Sequence, residues 1–188
     1  MRTILFLSAV LLIGLVSCSN PPRTPSVADA GATDASVIDM SVTDVGVING
    51  VRWATHNVDT PGTFTENYTD AGGFFNFERA QSACPQGWRL PRGYEWQSLV
   101  NAGSVWVTKN GVTGRFFGTA PNRIFLPAAG MQSSMGGRIS SVGTRGFYWS
   151  SSNAATQDTA VALQFVDSGN IIGSNHRVQR YSVRCVAE

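Results

Sequence analysis

The first eighteen residues, MRTILFLSAVLLIGLVSC, restrict what this chain can become more than any other segment, because they decide the compartment in which the rest must fold. Arg2 provides a positive start, and Ile4 to Val16 form an apolar run containing only small interruptions. A membrane-spanning helix needs about 20 apolar residues. This run is shorter and follows a positive charge, which is the order of an export signal. It ends directly on Ser17-Cys18.

The ending Leu15-Val16-Ser17-Cys18 resembles the lipobox of bacterial lipoproteins, where a small residue precedes the Cys that is acylated and becomes the new N-terminus. The resemblance implies that residues 1–17 are removed, that Cys18 is lipidated, and that a membrane is the chain's first partner. Each buried CH₂ contributes about 0.8 kcal/mol, so several acyl chains on one residue hold stably. Neither Ser19 nor Asn20 resembles an inner-membrane retention signal, which points to the outer membrane, with surface exposure open. Residues 18–46 then read as a tether. Pro21, Pro22 and Pro25 are followed by Ala, Ser, Thr and Val with Asp29, Asp34, Asp39 and Asp44 evenly spaced, and no aromatic residue occurs. Such a composition cannot offset ordering entropy and predicts disorder. A flexible segment of this length spans on the order of 30 Å. The Asp ladder lacks the clustered oxygens and turn Gly of a calcium loop, so no metal is expected there.

From residue 47 to 188 the composition is that of one globular domain. Aromatic residues recur from Trp53 onward, and twelve Arg and Lys face eight Asp and Glu. That surplus is scattered, whereas nucleic-acid binders concentrate charge on one face. An exported protein also rarely meets nucleic acid, so no such partner is expected. Cys84 and Cys185 are the only cysteines of this region. In an oxidising compartment their simplest state is one disulfide. Two free thiols or a metal pair are the alternatives, although two sulfurs without a nearby His pattern make a poor zinc site.

Local signals predict the elements. Asn49-Gly50 suits a tight hairpin turn, with Val51 to Ala54 as the following strand. Asn76 is a reasonable N-cap for a helix through Cys84 that places Phe77, Ala80 and Cys84 on one stripe and is ended by Pro85 and Gly87. Trp88 to Leu90 reads as a short strand. A second helix is predicted over Gly93 to Ala102, with Trp96, Leu99 and Val100 inward and Gly103 as its stop. Short strands are predicted at 105–107, 115–117, 123–129, 146–150, 159–166 and 180–187, with Val161, Leu163 and Phe165 alternating inward, as do Tyr181, Val183 and Cys185. Two early helices followed by many strands indicate an α+β class.

Several segments together resemble a known module. They are Val51-Arg52-Trp53-Ala54-Thr55, Gly73-Phe74-Phe75-Asn76-Phe77, Cys84-Pro85-Gln86-Gly87-Trp88-Arg89-Leu90-Pro91 with Glu95-Trp96, Phe125-Leu126-Pro127-Ala128-Ala129-Gly130, Tyr148-Trp149-Ser150-Ser151, and Ser182-Val183-Arg184-Cys185-Val186. Their order and spacing are similar to the Fibrobacter succinogenes major paralogous (FISUMP) domain, a module common on bacterial surface lipoproteins. The resemblance covers 47–188. It implies a relationship to the C-type lectin-like and formylglycine-generating-enzyme-like folds, with short, mainly antiparallel strands. In the lectin-like fold a helix-borne Cys is bonded to the last strand, and Cys84 and Cys185 fall on those two elements. His56 stands where many members carry another Cys, so an extra bridge is not expected. Trp53, Trp88, Trp96 and Trp149 are expected in the core. Arg89 and Arg184 flank the presumed bond and are expected to pair with Glu95 or Glu78, in an architectural role.

Catalytic constellations are missing from the sequence. It contains no His-Glu-x-x-His helix, Gly-x-Ser-x-Gly elbow or phosphate-cradling glycine loop. Ser150, Ser151 and Ser152 can be combined with His176 and Asp167 only on paper. The copper-binding cysteine pair of the sulfatase-modifying enzymes has no counterpart, and no cofactor is expected. His56 and His176 are each isolated. A binding module therefore fits better than an enzyme. The resemblance to lectin-like folds places ligand contacts in the irregular region from Asn110 to Asn153, with Arg115, Asn122, Arg123, Gln132, Arg138, Trp149 and Asn153 as candidates for a glycan or a surface protein ligand. The lectin calcium signatures are missing, since Ala120-Pro121-Asn122 lacks the carboxylate and serines follow Trp149. A structural envelope or appendage component is the alternative class. The lipobox-like ending makes one outcome directly testable: Cys18→Ser should abolish fatty-acid labelling and membrane partitioning, and retention of both would sink the assignment.

Overall fold

The computed structural model describes residues 44–135 and 137–188. The export signal, Cys18 and nearly all of the tether lie outside the described residues. The last three residues of the expected tether, 44–46, belong to strand β1, Asp44–Ile48, and not to a disordered segment. This strand pairs antiparallel with β2, Val51–Asn57, through Ile48 opposite Val51. Asn49 (φ 49°) and Gly50 (φ 81°) both adopt the positive φ that this two-residue turn requires. The same pair recurs at Asn110-Gly111, which joins β4 (Ser104–Lys109) to β5 (Val112–Thr119).

The expected α+β class with two early helices, and with it the lectin-like arrangement, is overturned. Half of the described residues lie in strands and 9% in two short helices. Helix α1 is a single turn, Phe77–Ala80, capped by the Asn76 side chain accepting from the Arg79 N–H. It stops four residues before Cys84. Pro85 disfavours a helical Cys84, and the Ala83 carbonyl accepts from Gly62 N–H across the domain. Helix α2, Gly93–Asn101, matches its expected span and buries Trp96 and Leu99. Glu95, also buried, accepts from the Arg92 N–H at 2.6 Å and closes the first turn.

The remaining chain forms small sheets. The first has the order β1-β2-β12-β3, with β12 at Arg184–Ala187 and β3 at Trp88–Arg89. The second is β4-β5-β6, with β6 at Asn122–Pro127. A two-stranded piece joins β7, Met131–Gln132, to β8, Ile139–Ser140. The last sheet is β11-β10-β9, with β9 at Gly146–Asn153, β10 at Thr159–Val166 and β11 at Gly169–His176. Named strands pair antiparallel throughout.

The expected inward alternation holds for Tyr181, Val183 and Cys185, which share one apolar cluster, and for Leu163 and Phe165, which share another, whereas Val161 is only half-buried. Both faces of the central strands bury apolar side chains. Ala54, Trp149, Ala162, Val183 and Cys185 enter one apolar cluster, while their chain neighbours Trp53, Tyr148, Leu163 and Val186 enter a second. Period two therefore sorts side chains between two cores. Each fully buried large side chain contributes roughly 1.5–3 kcal/mol. The indoles are also used as donors: Trp96 Nε1 donates to the Trp149 carbonyl at 3.2 Å, and Trp149 Nε1 to the Phe75 carbonyl at 2.8 Å. Trp88 is only half-buried, edge-on to Phe64.

Cys84 and Cys185 form a disulfide with Cα atoms 6.0 Å apart. It joins the turn after α1 to the last strand and closes a sequence separation of 101 residues. In the chain-entropy treatment such a loop stabilises by about 4–5 kcal/mol. The double variant Cys84→Ala/Cys185→Ala should lose that amount in urea denaturation while keeping its native circular dichroism. A loss below about 1 kcal/mol would show that other contacts already restrain both ends.

Candidate functional site

Construction of the site begins with Arg184. Its guanidinium is fully buried and donates to Asn57 Oδ1 (2.9 Å), to the carbonyls of Ala54 (3.0 Å) and Thr55, and to the Phe125 carbonyl (3.2 Å). No carboxylate pairs with it among the described residues, contrary to the expected partnership with a glutamate. Glu95 instead takes Arg89 in a two-pronged bond (2.7 and 2.8 Å), and Glu78 takes Arg177 (2.9 Å). Burial holds the Arg184 guanidinium down to a pKa of about 10. With its oxygen given to Arg184, the Asn57 amide must donate elsewhere. It reaches the Asp70 and Ala71 carbonyls at 3.1 and 3.0 Å and the Tyr148 hydroxyl at 3.3 Å. The Tyr148 hydroxyl donates to the Pro127 carbonyl at 2.9 Å, and burial pushes its pKa up to about 12. Loop 58–75 is thereby pinned over β2, and Tyr68 comes to stand on it edge-on to Phe125, 6.0 Å between ring centres.

Between Tyr68 and sheet β4-β5-β6 lies an open cleft of about 290 Å³, lined by Thr55, Tyr68, Lys109, Phe116, Pro121, Arg123, Ile124 and Phe125. Phe125 and Ile124 form its buried floor, and Tyr68 and Phe116 are half-buried walls. The Arg123 guanidinium lies over the Phe116 ring at 4.2 Å. The reason is cross-strand geometry. Arg123 pairs with Gly118, and Phe116 is its diagonal neighbour on the same face. Gly118 has φ +87°, and a Cβ there would meet the Asn122 carbonyl oxygen at 2.5 Å, so the close turn beside Arg123 requires glycine. The cleft's two cationic heads carry no hydrogen bond or ion pair to another described residue.

One other depression, of about 260 Å³ at the β10–β11 turn, presents Gln164 and Asn170, whose amides donate to Asn175 and Ser104, and Arg145, whose head has no hydrogen bond or ion pair to another described residue but which has no second cation beside it. Another at the domain's first hairpin contains Arg89 and Glu95, which are paired with each other. A separate depression of about 350 Å³ shares no lining residue with the cleft and is lined by Thr69 to Ala71, Gly111 to Thr113 and Pro127 to Ala129. Its Asp70 carboxylate accepts from Asn67.

Of the seven residues proposed from sequence, only Arg123 lines the cleft. Asn122 is exposed beside it at the β5–β6 turn. Arg115 is buried and clamps the β10–β11 turn, donating to the Val166 and Asp167 carbonyls (3.1 and 2.7 Å) and to Ser104 Oγ (2.6 Å). Trp149 is core, stacked on Tyr181 at 4.4 Å. Gln132 accepts from Arg180, and Asn153 from Arg177. Arg138 is exposed between β7 and β8, where Gln132 also sits. Tyr68, Lys109 and Thr55 lie outside the sequence window that was favoured. The Asn110-Gly111 turn that positions Lys109 was a readable signal. The placement of Tyr68 was not, because it depends on Asn57 and Arg184.

Among the described residues no three His, Cys, Asp or Glu side chains converge as metal ligands. Ser150 donates to the Val161 carbonyl, and Ser152 accepts from the Gly93 N–H. No helix among these residues is long and apolar enough to cross a membrane. His56 is buried, with Nδ1 2.7 Å from Thr55 Oγ1. Burial, then the Arg184 charge, lowers its pKa, against a smaller opposing effect of Asp70. The unfolded chain therefore binds more protons than the fold as pH falls through the ordinary His value, about 6.5, and stability is lost below it. Unfolding free energy should be smaller at pH 5.5 than at pH 7.5, and His56→Gln should remove most of that difference. An unchanged pH dependence in the variant would refute the assignment.

A family described as a domain of unknown function, DUF8237, matches residues 113–186. That span holds β5 to β12, including Phe116, Arg123, Phe125 and Arg184, and stops short of Thr55, Tyr68 and Lys109. No curated protein and no solved structure matches the chain.

Proposed function

We propose that this chain is a lipid-anchored protein of the bacterial cell envelope, held at the outer membrane through Cys18, whose FISUMP-like domain serves as a non-catalytic ligand-binding or adhesion module. Support for the anchor comes from the apolar run ending at Cys18, and support for the module type from the motifs quoted above. The observation that carries the binding role is the cleft between Tyr68 and β4-β5-β6. Here two cationic heads without hydrogen-bond or ion-pair partners among the described residues line one cleft together with two half-buried aromatic walls. Ligand sites have that character: an apolar body with a few placed polar groups. The cleft contributes hydroxyls, aromatics and cations but no general base, which favours binding over turnover.

A structural envelope role has its own supporting observation. Met135, Ile139 and Val142 are 85%, 46% and 64% exposed within one short stretch around β7 and β8, an apolar group suited to a protein neighbour. The two readings separate in one experiment. The purified chain is immobilised and exposed to a mixture of oligosaccharides, and the retained fraction is analysed by mass spectrometry. Retention of unaltered saccharides is expected. Chemically altered products would move the protein to the enzymes, and no retention would leave the structural role.

A further inference from the structure

We infer that the cleft is a subsite for an acidic saccharide, with the sugar ring against Tyr68 and its carboxylate or sulfate held by Arg123 and Lys109. This rests on the ligand-binding reading above and specifies its chemistry. Charge is the first argument. Lys109 and Arg123 line the cleft, and no Asp or Glu does. The floor adds to the same sign. Thr55 and Phe125 both line the cleft, and the backbone carbonyls of both are taken by Arg184 from beneath. Arg184 is bonded only to neutral dipoles, so its charge is spread but not cancelled, in a low-dielectric interior where fields reach further than in water. The cleft thus has cations at its rim and a third behind its floor.

Preorganisation is the second argument. Arg123 rests on Phe116 at 4.2 Å opposite a glycine, so its planar fork is oriented before any ligand arrives. A guanidinium held in that way suits the two oxygens of a carboxylate or sulfate and loses little rotamer freedom on binding. Shape is the third. Tyr68 is half-buried, with Phe125 holding its ring edge-on, which leaves an aromatic surface beside the cations. The negative face of such a ring attracts the polarised C–H groups of a sugar. A volume of about 290 Å³ lies at the small end of ligand sites and suits a single sugar residue.

The test uses the purified chain on an array carrying uronate-, sialate- and sulfate-bearing oligosaccharides beside their neutral parents, with polyglutamate as a polypeptide control. Binding to acidic members over their parents is expected, weakened by added salt. Arg123→Gln and Tyr68→Ala should each reduce it at least tenfold, while Arg138→Gln, at an exposed position between β7 and β8, should leave it unchanged. Circular dichroism on each variant separates lost binding from lost fold. Equal binding of neutral parents, unaffected by Arg123→Gln, would overturn the acidic assignment and leave the ligand-binding reading intact. Polyglutamate binding as tight as any saccharide, with Tyr68→Ala harmless, would replace the saccharide by an acidic polypeptide. Silence across the whole array would overturn this inference and count against the carbohydrate reading itself.

Discussion

Arg184 carries a charge into the interior and meets only dipoles there: three backbone carbonyls and the Asn57 amide oxygen. Removing an ion from water costs several kcal/mol, and only good geometry with most donors satisfied offsets it. The planar fork of arginine supplies that geometry, and the compact ammonium of lysine does not. Three strands are bound by the arrangement, because the acceptors lie on β2 and β6 while the arginine lies on β12. Truncating the side chain would leave those acceptors buried without partners, each at a cost of about 1–3 kcal/mol. The first sheet and the β4-β5-β6 sheet are therefore held together through a polar group, although apolar clusters surround it on both sides.

The consequences propagate by elimination of alternatives. Since the Asn57 oxygen faces Arg184, its nitrogen must face the Asp70 and Ala71 carbonyls. Ser182, two residues before β12, donates to the same Ala71 carbonyl, and the loop is fastened from both sides. Tyr68 stands on that loop. The disulfide lies one residue beyond Arg184, so the covalent tie to Cys84 and the polar tie to β2 and β6 converge on a single strand. The Arg89–Glu95 pair plays a smaller part at the surface end of α2, where Arg89 is 35% exposed and solvent screens the attraction.

The proposed binding surface lies where this network ends. A buried cation needs acceptors, and two of the carbonyls it recruits belong to residues that line the cleft. The device that fixes the architecture thereby adds a positive charge behind the proposed binding surface. His56 responds to the same charge. Arg115, by contrast, satisfies its donors on the β10–β11 turn, whereas the head of Arg123, eight residues on in the β5–β6 hairpin, has no hydrogen-bond partner among the described residues and rests on the Phe116 ring.

Local features were legible from short segments. The Asn49-Gly50 turn, the Asn76 cap, the span of α2 and the strand at 159–166 each follow from backbone preference or period within about ten residues, and the cysteine count pointed to the bond that joins 84 to 185. The fold class was not legible. A one-turn helix and a nine-residue helix read strongly in sequence, whereas β11, with Gly169, Gly173 and no clean alternation, becomes a strand only by pairing with β10. The same limit applies to the site. Arg115, Trp149 and Arg123 look alike as candidates, but Arg115 finds carbonyls 51 and 52 residues away, and Trp149 finds one 74 residues away. Tyr68 owes its position to a bond between residues 127 apart. Turns, caps and periods are set by neighbours along the chain, so the sequence alone determined them. Which polar heads remain unspent is set by partners that only the tertiary structure brings within hydrogen-bond reach.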